Sequence, residues 1–421
     1  MMPTRTRILL AALLITFFAV GSVRAENWPQ FRGPGGRGVS HETDIPLKWS
    51  NTENIAWKTN IPGEGWSSPV VFGDRVFVTT ATQDGVSCHA ICIDRKTGRV
   101  LWNTEVVQQT PRKKRRENSY ASPTPVADDD RVYVVFGDGS VAALDMDGSV
   151  LWTNREIKFY SHHGLGASPI LDDGRLIMPF DGSSDGENNR VGWKIPWDKG
   201  VVMAYDSETG GVAWRGRRGL SRLAHVTPAV LGTGKSRRIL SNAGDVVQAF
   251  DPAGGKLLWS VYSKGEGVTP SLITGGGLIF TSSGFEAPTI RAIRPGGKGD
   301  VTKTHIAWEQ KKGVPTLASL LYLEPHLYAI TADGVVACFQ GKTGELVSQN
   351  RVGGKHWASP IYADGHIYFV NEEGLTTVIK ASPKFEIVAR NNIPEHTQAT
   401  PAISQGQIFL RTAGKLYCIG K

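Results

Sequence analysis

Short runs of alternating apolar and polar residues recur along the chain, each bounded by turn residues. They include Arg75-Val76-Phe77-Val78, Arg131-Val132-Tyr133-Val134, Arg175-Leu176-Ile177-Met178, Leu278-Ile279-Phe280, Leu327-Tyr328-Ala329-Ile330, His366-Ile367-Tyr368-Phe369 and Gln407-Ile408-Phe409-Leu410. Period-two alternation between turn signals predicts β-strands. A strand start of the form Ser/Thr-Pro recurs as Ser68-Pro69, Thr124-Pro125, Ser168-Pro169, Thr227-Pro228, Thr269-Pro270, Ser359-Pro360 and Thr400-Pro401, and Ser319-Leu320 holds the same place without proline. Eight starts at near-regular spacing predict eight repeated units.

A third strand in each unit ends small-apolar-polar, as in Cys92-Ile93-Asp94, Ala143-Leu144-Asp145, Ala204-Tyr205-Asp206 and Ala249-Phe250-Asp251. A fourth carries Trp102, Trp152, Trp214, Trp259 and Trp308, with Ser348 and about Val388 at the same place in units six and seven. Unit eight runs out at Lys421 before its fourth strand, and an orphan strand, Ile55-Ala56-Trp57-Lys58, precedes unit one. A fourth strand lent by the N-terminal side to the last unit closes a ring. The expected fold is therefore all-β, an eight-bladed propeller over residues 55–421 with a preceding segment at 26–54. Closure protects the sheet edges that an open array would have to cap.

The turn between strands three and four is the most regular local feature. Ala204, Asp206, Thr209, Gly210 and Trp214 define it; Cys92, Asp94, Thr97, Gly98 and Trp102 repeat it, as do Ala249, Asp251, Gly255 and Trp259 with Gly254 at the Thr place. Gly accepts the positive φ of the turn, Asp and Thr bond to turn backbone, and Trp offers a large surface to the neighbouring blade. Cys92, Cys338 and Cys418 occupy Ala or Val positions and read as small buried hydrophobes. Cys88 and Cys92 lie about 13 Å apart along one strand, too far for a disulfide.

This pattern resembles the tryptophan-docking motif of the quinoprotein (PQQ-type) propellers. Over essentially the whole mature chain the sequence is similar to secreted bacterial PQQ-like propeller repeat proteins. Asn27-Trp28-Pro29-Gln30-Phe31-Arg32-Gly33-Pro34, Ile195-Pro196-Trp197-Asp198-Lys199 and Lys312-Gly313-Val314-Pro315 carry that likeness. Such proteins are compared with the outer-membrane β-barrel assembly scaffold, which has a lipid anchor and no quinone. The enzymes of the group imply Ca²⁺ ligands, a catalytic Asp, an Arg on the quinone and often adjacent cysteines. The chain has no Cys-Cys pair and no recognisable Glu/Asn/Asp set. The expected function is an exported non-catalytic scaffold for a protein or envelope polymer, with no cofactor. A PQQ-dependent dehydrogenase, with PQQ and Ca²⁺, is the alternative.

Arg5 and Arg7, the apolar run Ile8–Val20 and Val23-Arg24-Ala25 read as a secretory signal over 1–25, placing the protein in the periplasm or outside the cell. No Cys follows the run to take a lipid anchor, and no later stretch suits a membrane span. Losing Arg5, Arg7 and Arg24 with the leader lowers the formal charge of +8 by three, which does not call for nucleic acid. The ring is expected to be a monomer.

Three features could carry binding. The long loops should gather on one face, and Arg112, Lys113, Lys114, Arg115 and Arg116 in one of them read as a solvated loop or as contact with an anionic partner. Asp181, Ser183 and Asp185 alternate like the start of a Ca²⁺ loop, although Gly192 stands where the bidentate acid belongs. Where the chain enters each first strand, Trp66, His225, Trp357 and Gln398, with Gly166 and Gly267, are expected at the channel mouth, with His163, His356 and His396 one or two residues earlier. Such groups could hold a planar ligand or plug a wide channel.

Overall fold

The computed structural model describes residues 26–265 and 268–420. The leader expected at 1–25 lies outside them, as does Gly267. The described residues form eight sheets, each built on four antiparallel strands, the expected all-β eight-bladed propeller. Blade one runs outwards from the axis as Val70–Phe72, Arg75–Thr82, Ser87–Asp94 and Val100–Gln108. Its second and third strands are buried almost throughout, because neighbouring blades cover both faces; the fourth is mostly exposed, because it forms the rim.

Blade eight is completed as the sequence pattern predicts. Ile55–Asn60 pairs antiparallel with Lys415–Ile419, setting Trp57 opposite Cys418. Blade four gains an element the alternation does not reveal: Gly299–Asp300, from an insertion in blade five, adds a fifth short strand parallel to Leu257–Tyr262.

The tryptophans join successive blades. Nε1 of Trp57, Trp102, Trp152, Trp214 and Trp308 donates to a turn carbonyl of the next blade, those of Arg95, Met146, Ser207, Pro252 and Gly341, at 2.7–3.0 Å. Each ring also lies flat on that blade's turn glycine. Gly210 has φ +71°, and a Cβ there would sit 2.4 Å from Trp152. Thr209 donates its hydroxyl and backbone N–H to Asp206, which holds that carboxyl below its usual range. In blade six Ser348 lacks an indole but donates its hydroxyl to Pro383 O at 2.6 Å, so the polar half of the link survives.

The Ser/Thr starts form a second ring at the axis. Ser68 N–H donates to Thr124 Oγ1, Thr124 to Ser168, Ser168 to Thr227, and so on through Ser271, Ser319, Ser359 and Thr400, whose N–H returns to Ser68 Oγ; all eight bonds span 2.9–3.1 Å. Blade five corrects the expected register. Ser271-Leu272, not Thr269-Pro270, takes the start position, because its hydroxyl completes the ring and Ile273–Gly275 follows.

The segment 26–54 crosses the far end of the axis, where the innermost strands finish. Trp28 bridges to Val71, Pro29 O accepts from Ala127 N–H, Arg32 Nη2 donates to Leu320 O at 2.7 Å, and Gly38 O accepts from Tyr362 N–H. Trp28 is fully buried against Gly33, where a Cβ would approach the indole to 2.5 Å. All four cysteines are buried and free, and burial pushes the Cys88, Cys92 and Cys418 thiols up to about 12.

Candidate functional site: an axial cavity under a looped face

The axis holds a cavity of about 540 Å³. Phe31, from the crossing segment, lines its closed end. Above it stands the collar of eight Ser/Thr side chains just described. One step further out the blades contribute Trp66, Ser122, Gly166, His225, Thr269, Leu317, Trp357 and Gln398 in order. Thr269 fills this second ring because of the blade-five register. Loop residues Arg115, Glu117, Asn118, His163, Trp193 and Phe285 complete the lining towards the mouth.

The aromatic and imidazole groups fall into two clusters. On one side Trp66 meets His396 edge-on at 5.3 Å, Gln398 Nε2 lies 3.3 Å from His396 Nε2, and Trp357 donates Nε1 to Glu372 at 2.9 Å beneath the Lys355 ammonium. His396 is exposed and stands at the rim. On the other side His163 lies 6.0 Å from His225 and 5.1 Å from Trp193, which also stacks on His162 at 4.9 Å and lies under the Lys194 ammonium at 5.0 Å. Burial pushes His225 down to about 4 and His163 to about 3, so both imidazoles are neutral at neutral pH. His356 is not part of the cavity lining. It is buried in the wall, with ring nitrogens 3.0 Å from Val370 O and 2.9 Å from Gly353 O.

The basic run is partly spent on holding its own loop. Arg112 pairs with Asp185 and lies 4.5 Å over the Tyr160 ring, and Lys114 donates to Asn118 O above Tyr120. Arg116 pairs with Glu117 at 3.3 Å. Lys113 and Arg115 are exposed and have no side-chain partner among the described residues, and Arg115 alone of the five reaches the cavity lining.

The oxygens of the 181–187 loop are committed elsewhere. Asp181 is buried and takes two bonds from Arg218, at 2.5 and 2.8 Å. Ser183 Oγ accepts from His162 N–H, and Asp185 serves Arg112. Among the described residues no group of three or more His, Cys, Asp or Glu could hold a metal ion.

Sequence reasoning missed Phe31, Trp193 and the collar as cavity residues. The collar had a signal, a hydroxyl at every blade start, but it read only as a strand marker. Phe31 and Trp193 lie in segments without repeat, where local pattern says nothing of position.

A family described as "Outer membrane protein assembly factor BamB" matches residues 48–191 and 198–419. The chain belongs to this BamB family. It is 20% identical over 313 residues to outer membrane protein assembly factor BamB of Moranella endobia, covering 70% of this chain and 74% of that one. It is 25% identical over 164 residues to a polyvinylalcohol dehydrogenase of Pseudomonas sp, and 26% over 277 residues to quinohemoprotein alcohol dehydrogenase ADH IIB of Pseudomonas putida. Those matches cover 38% and 63% of this chain, but only 24% and 35% of the two dehydrogenases. In fold it is similar to BamB from Moraxella catarrhalis (TM-score 0.59, 14% identity, 87% of this chain and 97% of that one). It is also similar to a europium-containing methanol dehydrogenase (TM-score 0.68, 11% identity, 94% and 98%). The propeller fold is thus common to an outer membrane protein assembly factor and to a dehydrogenase.

Proposed function

We propose that the protein is a non-catalytic binding propeller of the cell envelope that receives a protein or envelope polymer on its looped face. The observation that carries this reading is the donor set of the axial cavity. Glu117 is the one carboxylate among its described lining residues, and it is paired with Arg116. A Ca²⁺ ion takes six to eight oxygens, carboxylates prominent among them. The residues present therefore do not fit a metal held beside a quinone, and no oxidation step follows from them. The same face exposes Ile195, Leu220 and Phe285 on loops of blades three to five, apolar surface of the kind that partners cover. The BamB relatives support a protein partner and an envelope location, and no described helix is long and apolar enough to cross a membrane.

The second reading, a PQQ-dependent dehydrogenase, rests on the two Pseudomonas relatives. One experiment separates them. Purified protein is mixed with PQQ and Ca²⁺, and dye-linked oxidation of alcohols and sugars is followed. The binding reading expects no turnover above the protein-free background; sustained dye reduction would overturn it.

A further inference from the structure

We propose that the axial cavity binds an acidic sugar, its carboxylate or sulfate seated in the Ser/Thr collar and its ring lying against the tryptophan wall. The inference rests on the reading of this face as a binding face.

The collar is a set of unused donors. Each Oγ accepts a backbone N–H from the preceding blade, which occupies an oxygen lone pair and leaves the O–H proton free. Among the described residues none of these eight hydroxyls donates to a protein acceptor, and all eight line the cavity. Convergent O–H donors with no acceptor suit an oxyanion.

The charges around the collar point the same way. Arg32 and Arg411 are fully buried, and neither pairs with a carboxylate among the described residues. Arg32 donates to Leu320 O, next in sequence to collar Ser319; Arg411 donates to Ser67, next to collar Ser68. Two nitrogens of each guanidinium are buried without a partner among the described residues. Burial lowers both to about 9, so both stay charged at neutral pH. Buried charges are ordinarily paired; neither guanidinium lines the cavity itself, so their positive charge acts on an anion in the collar from behind the wall, through the field and not by direct contact. At the mouth Arg115 has no side-chain partner among the described residues and favours entry of an anion, while the one lining carboxylate, Glu117, is offset by Arg116.

The rest of the lining selects what bears the anion. Trp66 and Trp357 offer aromatic surface to a ring. Gln398, Asn118, Thr269 and the neutral imidazole of His225 surround it with uncharged polar groups. That density of hydrogen-bonding groups matches a polyhydroxylated ring better than an aromatic acid. The volume lies within the range of small-ligand sites, roughly 300–1,000 Å³.

The test is a calorimetric titration of the full mature protein with glucose 6-sulfate, glucuronate, glucose, inorganic sulfate and PQQ. Both acidic sugars are expected to bind at least tenfold tighter than glucose, and glucose 6-sulfate at least tenfold tighter than inorganic sulfate. Thr227→Val, which removes one collar hydroxyl, should weaken the acidic sugars three- to tenfold and leave glucose unchanged. Should that variant fail to fold, Trp357→Leu replaces it and should weaken glucose 6-sulfate but not sulfate. Equal affinity for glucose and glucose 6-sulfate, sulfate binding as tightly as its sugar ester, PQQ binding more tightly than either acidic sugar, or no binding at all would each overturn the proposal. Such failure overturns the ligand class alone; only turnover in the quinone assay overturns the binding reading.

Discussion

Gly210→Ala tests whether tryptophan docking on the turns holds the blades together. The new methyl would meet two costs. Residue 210 has φ +71°, and an L side chain in the left-handed region costs roughly 1–2 kcal/mol. The Cβ would also lie 2.4 Å from Trp152, and relieving such overpacking costs about 1–3 kcal/mol. Gly174→Ala isolates the first cost, since Gly174 has φ +70° and nothing lies within 4 Å of its Cβ position. Unfolding entropy of about 2 cal/mol/K per residue makes 1 kcal/mol worth roughly 1 °C in Tm for a chain of this length. Differential scanning calorimetry should therefore show Gly174→Ala lower by about 1–2 °C and Gly210→Ala by about 2–5 °C. The Trp152→Phe background should narrow the gap, because the smaller ring leaves room for the methyl. A Gly210→Ala melting point no lower than that of Gly174→Ala would refute the docking account.

Other substitutions probe single side chains. Asp181→Asn leaves Arg218 buried without its counter-charge; it should cost about 3–5 kcal/mol and open the 181–200 loop to limited proteolysis. Ser348→Ala removes the hydroxyl that stands in for an indole N–H and should cost about 1 kcal/mol by thermal melting. Because His225 and His163 have folded values below the unfolded one near 6.5, the unfolded chain binds more protons; the stability they contribute is full above pH 6.5 and is lost as pH falls towards 4 and 3. The drop in Tm between pH 7 and pH 4.5 should accordingly shrink in His225→Gln. Neutralising Lys113 and Arg115 together should leave Tm unchanged and weaken retention on a polyanion column at low salt, whereas Arg112→Ala should loosen the loop, since Arg112 bridges Asp185 and Tyr160.

The blades were legible because their determinants are local. The Asp-Thr-Gly turn, the short apolar second strand, buried on both faces, and the orphan Trp57 strand each declare themselves within a dozen residues, and ring closure follows by counting. Blade five misled because Thr269-Pro270 imitates the start two residues early; only the hydrogen bonds on either side single out Ser271. The site was less legible. Trp66, Trp357 and His225 stand at the cavity because their position in the repeat fixes them there. His356 turns into the wall because two backbone carbonyls hold its ring, and residue spacing does not encode that direction. The 181–187 loop resembled a Ca²⁺ loop because its acids alternate, yet Arg218 and Arg112, distant in sequence, claim those acids. Arg32 and Arg411 carry no local mark of burial; their isolation emerges only when segment 26–54 and blade eight are in place.

The most direct test is a crystal structure of the protein soaked with glucose 6-sulfate. Sulfate oxygens are expected within hydrogen-bond distance of collar hydroxyls, above Phe31, with the sugar ring against Trp66 or Trp357. An empty collar, with density for the sugar only on the outer surface, would contradict it.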